Sequence, residues 1–184
     1  MRDCKPVTYP METKLQLTKD ENGELVDETQ FRSMMGGLRY LVHTRPDIAY
    51  LVVVVSGYME KPTALHLNAV KRILHYIKGT IEYGLRYSRG VGNYILSGYA
   101  DSDLDGSLDD RRSTGGISFY LNDNLITWVS QKQRCIVLSS CEAEFMAATA
   151  AACQGIWLQN LLKQITDTSP GSIIIYVDNK SAID

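Results

Sequence analysis

The spacing of apolar positions changes near residue 90. Between residues 29 and 78 they recur every three to four positions, the interval that gathers side chains on one face of a helix. Three helices are predicted there: Thr29–Val42, Pro46–Glu60 and Thr63–Lys78. Pro46-Asp47 suits a helix start, and Lys61-Pro62-Thr63 separates the second helix from the third. The run Val52–Val55 is β-branched, yet Ile48, Leu51, Val52, Val55 and Met59 keep helical spacing, so helix is expected. In the third helix Leu65, Ala69, Val70, Ile73, Leu74 and Ile77 form the apolar stripe, and Lys71, Arg72, His75 and Lys78 lie on the polar side.

Beyond Gly92 the alternation has a period of two. Tyr94–Ala100 is predicted to be a strand running into Asp101-Ser102-Asp103, followed by a polar loop. Ile117–Leu121 and Leu125–Val129 form an expected hairpin across Asn122-Asp123-Asn124. A long helix from Ser139 to about Ile165, a turn at Pro170-Gly171 and a strand at Ser172–Val177 complete the pattern. Three antiparallel strands, a helix and a last strand parallel to the first predict an α/β (α+β) fold with a right-handed crossover helix. The expected organisation is an extended lead-in at 1–28 with a turn at Glu21-Asn22-Gly23-Glu24, a helical connector at 29–90 and a mixed-sheet domain at 91–184.

The long helix carries the first chemical signal. Ser139 and Glu142 have capping-box spacing. Glu144 falls about 200° around the helix from Glu142, at the edge of the face assigned to the core, namely Phe145, Ala148, Thr149, Ala152 and Ile156. A half-buried carboxylate needs a basic partner or a metal ion. Parallel neighbouring strands would bring Asp101 and Asp178 out at the same sheet edge, with Glu144 nearby on the crossing helix. Neither lysine nor arginine lies within the three motifs, so the oxygen-only set points to magnesium or manganese. Taken singly, each motif also reads as an ordinary turn, helix start or N-cap.

Composition narrows the class. With 45% apolar and 22% charged residues the chain can bury a core. Its four cysteines and three histidines show no zinc-ligand spacing, so a reduced, zinc-free protein is expected. The longest apolar run, Ile48–Val55, is far short of the roughly 20 residues a membrane span needs, so no membrane is expected as a partner. Residues 1–90 carry 13 Lys and Arg against 10 Asp and Glu, while residues 91–184 carry 6 against 11. A basic front suits nucleic acid and an acidic back suits metal, although the strip Lys71, Arg72, His75 and Lys78 is equally the pattern of a solvated helix face.

Several strings together resemble the copia-type retrotransposon polyproteins. Gly98–Asp103, Asp110–Thr114, Trp128–Gln133, Leu138–Ala148 and Val177–Ile183 are similar to their ribonuclease H region. Phe31–Tyr40, Thr44–Ala49, Tyr58–Pro62, Ala69–Leu74 and Lys78-Gly79-Thr80 are similar to the end of their polymerase region. The chain differs from that pattern at Gly57, Leu104 and Gly115. The resemblance implies a ribonuclease H-like fold, C-terminally truncated at Asp184. It implies Asp101, Glu144 and Asp178 as catalytic and metal-binding residues for Mg2+ or Mn2+, and an RNA/DNA hybrid as partner, in the cytoplasm or nucleus. Because a fourth carboxylate and further elements belong to that pattern, the chain alone is expected to be a poor nuclease. The alternative is a repurposed, non-enzymatic protein, such as an oomycete-type effector secreted into a host cell, where it would bind a host protein and suppress cell death. Gly36–Arg39 and Tyr83–Arg86 approximate the Arg-x-Leu-Arg translocation motif of such effectors.

Overall fold

The computed structural model describes residues 4–12, 17–19, 22–90, 94–104, 106–167 and 171–180. Glu21 of the expected first turn, Pro170 of the second and the string Ser181-Ala182-Ile183 lie outside the described residues. The elements are α1 (Glu28–Leu41), a 3-10 turn at Pro46–Ile48, α2 (Ala49–Ser56), α3 (Ala64–Gly79), β1 (Leu96–Asp103), β2 (Thr114–Leu121), β3 (Asn124–Lys132), α4 (Ser140–Thr166) and β4 (Ile174–Tyr176). Among the described residues, four α-helices and a mixed four-stranded sheet make an α+β fold, consistent with a ribonuclease H-like domain. The chain forms two compact units: Met1–Leu85 with Ser107–Asp110, and Arg86–Gly106 with Arg111–Asp184.

The first unit is a three-helix packing around Phe31, Met35, Ile48, Val52, Val55, Val70 and Ile73. Asp27 caps α1 by accepting from the Thr29 and Gln30 N–H groups. The β-branched run is indeed helical. However, α2 stops at Ser56 and residues 57–60 form turns, so the expected extension to Glu60 is not made. Gly57 occupies the C-cap, and the Ser56 hydroxyl bonds back to the Val52 carbonyl. Residue His66 is fully buried and stacked on Tyr58 at 4.1 Å. Its Nδ1 accepts the Thr63 N–H at 3.0 Å, which places the proton on Nε2, 2.9 Å from the Thr18 carbonyl. This pair of bonds fastens the lead-in to α3.

The second unit has strand order β3-β2-β1-β4, with β1 antiparallel to β2 and parallel to β4. The hairpin is tighter than expected. Asn124 already belongs to β3 and pairs with Leu121, leaving the two-residue turn Asn122-Asp123. Asn122 takes the left-handed conformation, φ 53°, which asparagine tolerates, and its Oδ1 accepts the Ile95 N–H. Strand β4 pairs over only three positions, Ser97 with Ile174 through Tyr99 with Tyr176, against the six predicted for Ser172–Val177. It occupies the sheet edge and so has a single neighbour to extend it.

Helix α4 buries a different face from the one expected. Phe145 and Ile156 are exposed at 63% and 58%, whereas Ala143, Glu144, Ala147, Ala151, Gly155 and Leu158 are buried. The cause is close approach between helix and sheet. Phe119 of β2 fills the layer between them, and a Cβ added at Gly98 would lie 2.6 Å from its ring, one at Gly155 3.3 Å. Small side chains fit opposite such a ring, so Ala147, Ala151 and Gly155 face the sheet there while Phe145 and Ile156 turn outward.

Candidate metal centre

The N-terminus of α4 is fixed from both sides of its cap. Ser139 Oγ accepts the Glu142 N–H, and Glu142 Oε2 accepts the N–H of Leu138, one residue ahead of the cap. With Glu142 so engaged, the following turn directs Glu144 inward, where it is only 5% exposed. On the sheet, Asp101 stands near the C-terminal end of β1. Asp178 stands two residues past β4, whose parallel pairing carries it to the same edge.

The structure brings these three residues together. One carboxylate oxygen from each of Asp101, Glu144 and Asp178 lies within 4.8 Å of the others. The backbone N–H of Ser102 is shared between Asp101 Oδ1 at 2.8 Å and Glu144 Oε1 at 3.1 Å. Glu144 Oε2 is buried and has no hydrogen-bond partner. Burial pushes the Glu144 carboxyl above its ordinary value and the charges of Asp101 and Asp178 push the same way, with the Ser102 N–H opposing them. No lysine or arginine forms an ion pair with any of the three among the described residues. A buried, unpartnered oxygen facing two like charges is the donor set that a hard divalent cation satisfies. The residues therefore fit magnesium or manganese, which all three carboxylates could hold.

Two further residues belong to this arrangement. Ser102 donates the shared N–H, and Gln133, just past β3, donates Nε2 to the Ala143 carbonyl at 2.9 Å and to Ser102 Oγ at 3.4 Å. Both lie inside strings that stand out in the sequence, but neither side chain is one that signals metal chemistry. Their roles depend on geometry.

The basic strip lies in the first unit and is partly engaged there. Lys71 is exposed, Arg72 pairs with Glu12 at 2.8 Å, and Lys78 Nζ donates to the Cys4 carbonyl at 2.7 Å. His75 is half-buried on the same helix. Elsewhere in this unit Arg45 is 4% exposed and fully served. It gives two bonds to Asp47, two to Thr80, and lies 5.7 Å from the Tyr76 ring.

Comparison with known proteins gives the chain its relatives. The chain is 38% identical over 182 residues to the retrovirus-related Pol polyprotein from transposon RE2 of Arabidopsis thaliana, and 38% identical over 192 residues to that from transposon TNT 1-94 of Nicotiana tabacum. The matches cover 99% and 100% of this chain. The chain belongs to the copia-type retrotransposon Pol polyproteins. It spans about 12% and 14% of the length of those two relatives. It is also 43% identical over 129 residues to the secreted RxLR effector protein 161 of Plasmopara viticola, covering 70% of this chain and 90% of that protein. No family model and no solved structure matches. Among the described residues no helix is long and apolar enough to cross a membrane.

Proposed function

We propose that the second unit is the ribonuclease H-like part of a copia-type polyprotein, holding Mg2+ or Mn2+ through Asp101, Glu144 and Asp178 for hydrolysis of the RNA strand of an RNA/DNA hybrid. The observation that carries this reading is the convergence of three carboxylates within 4.8 Å, one of them buried with an unpartnered oxygen. Bound divalent cations supply charge neutralisation, an activated water and stabilisation of the leaving oxygen at a phosphodiester. The chain's own residues hold and orient. Ser102 fixes Asp101 and Glu144 through one N–H, the α4 cap sets the helix register, and β4 delivers Asp178. In the first unit, Lys71, Arg72, His75 and Lys78 would track phosphates of the hybrid, an electrostatic contact that weakens steeply with salt. A retroelement product of this kind acts in the cytoplasm or nucleus.

These 184 residues alone should cleave poorly. Asp178 is held by three register positions at an open sheet edge, and a displacement of about 1 Å in a reacting group costs on the order of a hundredfold in rate. The test is cleavage of a labelled RNA/DNA hybrid with magnesium by this chain, by its Glu144→Gln variant and by a longer polyprotein segment carrying the same residues. Turnover by the longer segment that is lost in its Glu144→Gln variant supports the reading. Absence of Glu144-dependent turnover from both lengths contradicts it.

The likeness to a secreted effector over 90% of that protein's length favours a second reading, a non-enzymatic descendant acting on a host protein. Its signature is suppression of host cell death that survives Glu144→Gln unchanged.

A further inference from the structure

We infer that Gln133 is a positioning residue that holds Asp101 and Glu144 in a common frame. The inference rests on the proposed cation site and concerns how its ligands are kept in register. The amide nitrogen of Gln133 bonds at once to α4, at the Ala143 carbonyl, and to β1, at Ser102 Oγ. Ala143 immediately precedes Glu144, and Ser102 immediately follows Asp101 and shares its own N–H between the two carboxylates. One side chain at the end of β3 thus grips both peptide segments that carry ligands.

Its orientation is dictated by chemistry. Turning the amide over would aim a carbonyl oxygen at the Ala143 carbonyl, so the nitrogen must face it. The other end, Oε1, is buried and has no hydrogen-bond partner. Leaving that oxygen unsatisfied costs stability, and an apolar side chain of the same length would avoid the cost. A glutamine here is therefore explained by what its nitrogen does. Its backbone is anchored as well, because the Gln133 N–H donates to the Ser113 carbonyl at 2.8 Å. Gly115 borders the side chain, with room for a Cβ at ordinary contact, 3.6 Å from Nε2. The clamp therefore rests on the hydrogen bonds rather than on tight packing.

The experiment compares wild type, Gln133→Met, which keeps length and removes the donor, and Gln133→Glu, which places an acceptor against the Ala143 carbonyl. Phe119→Leu serves as a control that lowers core stability away from the ligands. Two readouts are taken: hydrogen exchange at the Ser102 amide without metal, and Mn2+ affinity by calorimetry. Both Gln133 variants should speed Ser102 exchange at least tenfold relative to other β1 amides and weaken Mn2+ binding about 10- to 100-fold, the usual effect of losing an orienting partner. Phe119→Leu should do neither. Unchanged Ser102 exchange in both Gln133 variants, or equal changes in Phe119→Leu, overturns the inference. Faster Ser102 exchange in a protein whose wild type binds no Mn2+ upholds the clamp and rejects the cation site instead.

Discussion

Among the described residues each unit buries one charged side chain, Arg45 in the first and Glu144 in the second, and the two are treated in opposite ways. Arg45 in the first unit is surrounded by what a guanidinium requires: the Asp47 carboxylate, the Thr80 carbonyl and hydroxyl, and a tyrosine ring. Glu144 in the second unit has one backbone N–H, an unpartnered oxygen and two further carboxylates. A buried guanidinium with its counter-charge and hydrogen bonds in place is architecture and leaves little for a ligand to improve. A buried charge left among like charges is a deficit that the fold keeps open. The contrast separates a structural ion pair from a candidate site more sharply than burial alone, since both side chains are about equally hidden.

Breaking the satisfied pair should give the largest effect. Asp47→Ala would leave Arg45 buried without its counter-charge and should destabilise the first unit by about 3 kcal/mol. Hydrogen exchange of peptides within residues 28–80 measures this. Both tryptophans, Trp128 and Trp157, lie in the second unit, so their fluorescence should report little change. A small loss in the first unit would mean that the Thr80 and aromatic contacts suffice to hold Arg45 without its counter-charge.

The deficit should respond with the opposite sign. Without metal, Glu144→Gln removes the like-charge repulsion and should stabilise the second unit by about 1 kcal/mol, read by tryptophan-monitored urea unfolding. Destabilisation by that substitution would show that the carboxylate is satisfied after all.

Acid distinguishes the units next. Burial works to raise the Asp47 carboxyl, but its hydrogen bonds from Arg45 and Tyr76 outweigh that and hold it below the ordinary value. A depressed folded value adds stability above the unfolded carboxylate pKa, near 4, and that stability is lost as pH falls through the folded value. The first unit should therefore weaken below about pH 4. Asp47→Ala should lack this slope, and an identical slope in the variant would assign it to other groups.

The smallest effects belong to side chains that the structure leaves outside. Phe145→Ser should change second-unit stability by no more than about 0.5 kcal/mol, and Ala147→Leu, on the buried face, should cost roughly 1–3 kcal/mol by overpacking. The reverse ranking would restore the larger apolar residues to the core. Lys71→Ala should leave stability within about 0.5 kcal/mol while lowering the salt dependence of any hybrid binding.

That α4 result shows where sequence reasoning reaches and where it stops. Helical spacing correctly identified α2 despite its valines, and the order strand-Asp, helix-Glu, strand-Asp anticipated which carboxylates meet. Those features are local periodicity and topology, which a sequence carries directly. The buried face of α4 is set by something else, the distance between helix and sheet, and that distance follows from Phe119 seated against Gly98 and Gly155. Ranking residues by hydrophobicity favours Phe145 and Ile156 over Ala147 and Ala151, and only the close approach reverses the choice. Ser102 and Gln133 were hidden for a related reason. A shared backbone N–H and a bridging amide are properties of three-dimensional adjacency, and serine and glutamine are common residues on any strand end. The length of β4 depended on how many neighbours it has, which no stretch of its own residues records.

Thermal unfolding followed through tryptophan, with and without magnesium or manganese, for wild type and Asp178→Asn, decides whether Asp101, Glu144 and Asp178 form one divalent-cation site. A site filled at ten times its dissociation constant stabilises by about 1.4 kcal/mol, which for a unit of this size is roughly 4–8 °C per kcal/mol. Wild type should gain several degrees and Asp178→Asn should lose most of that gain. Equal gains in the two proteins, or none in wild type at millimolar metal, would mean that the three carboxylates form no such site.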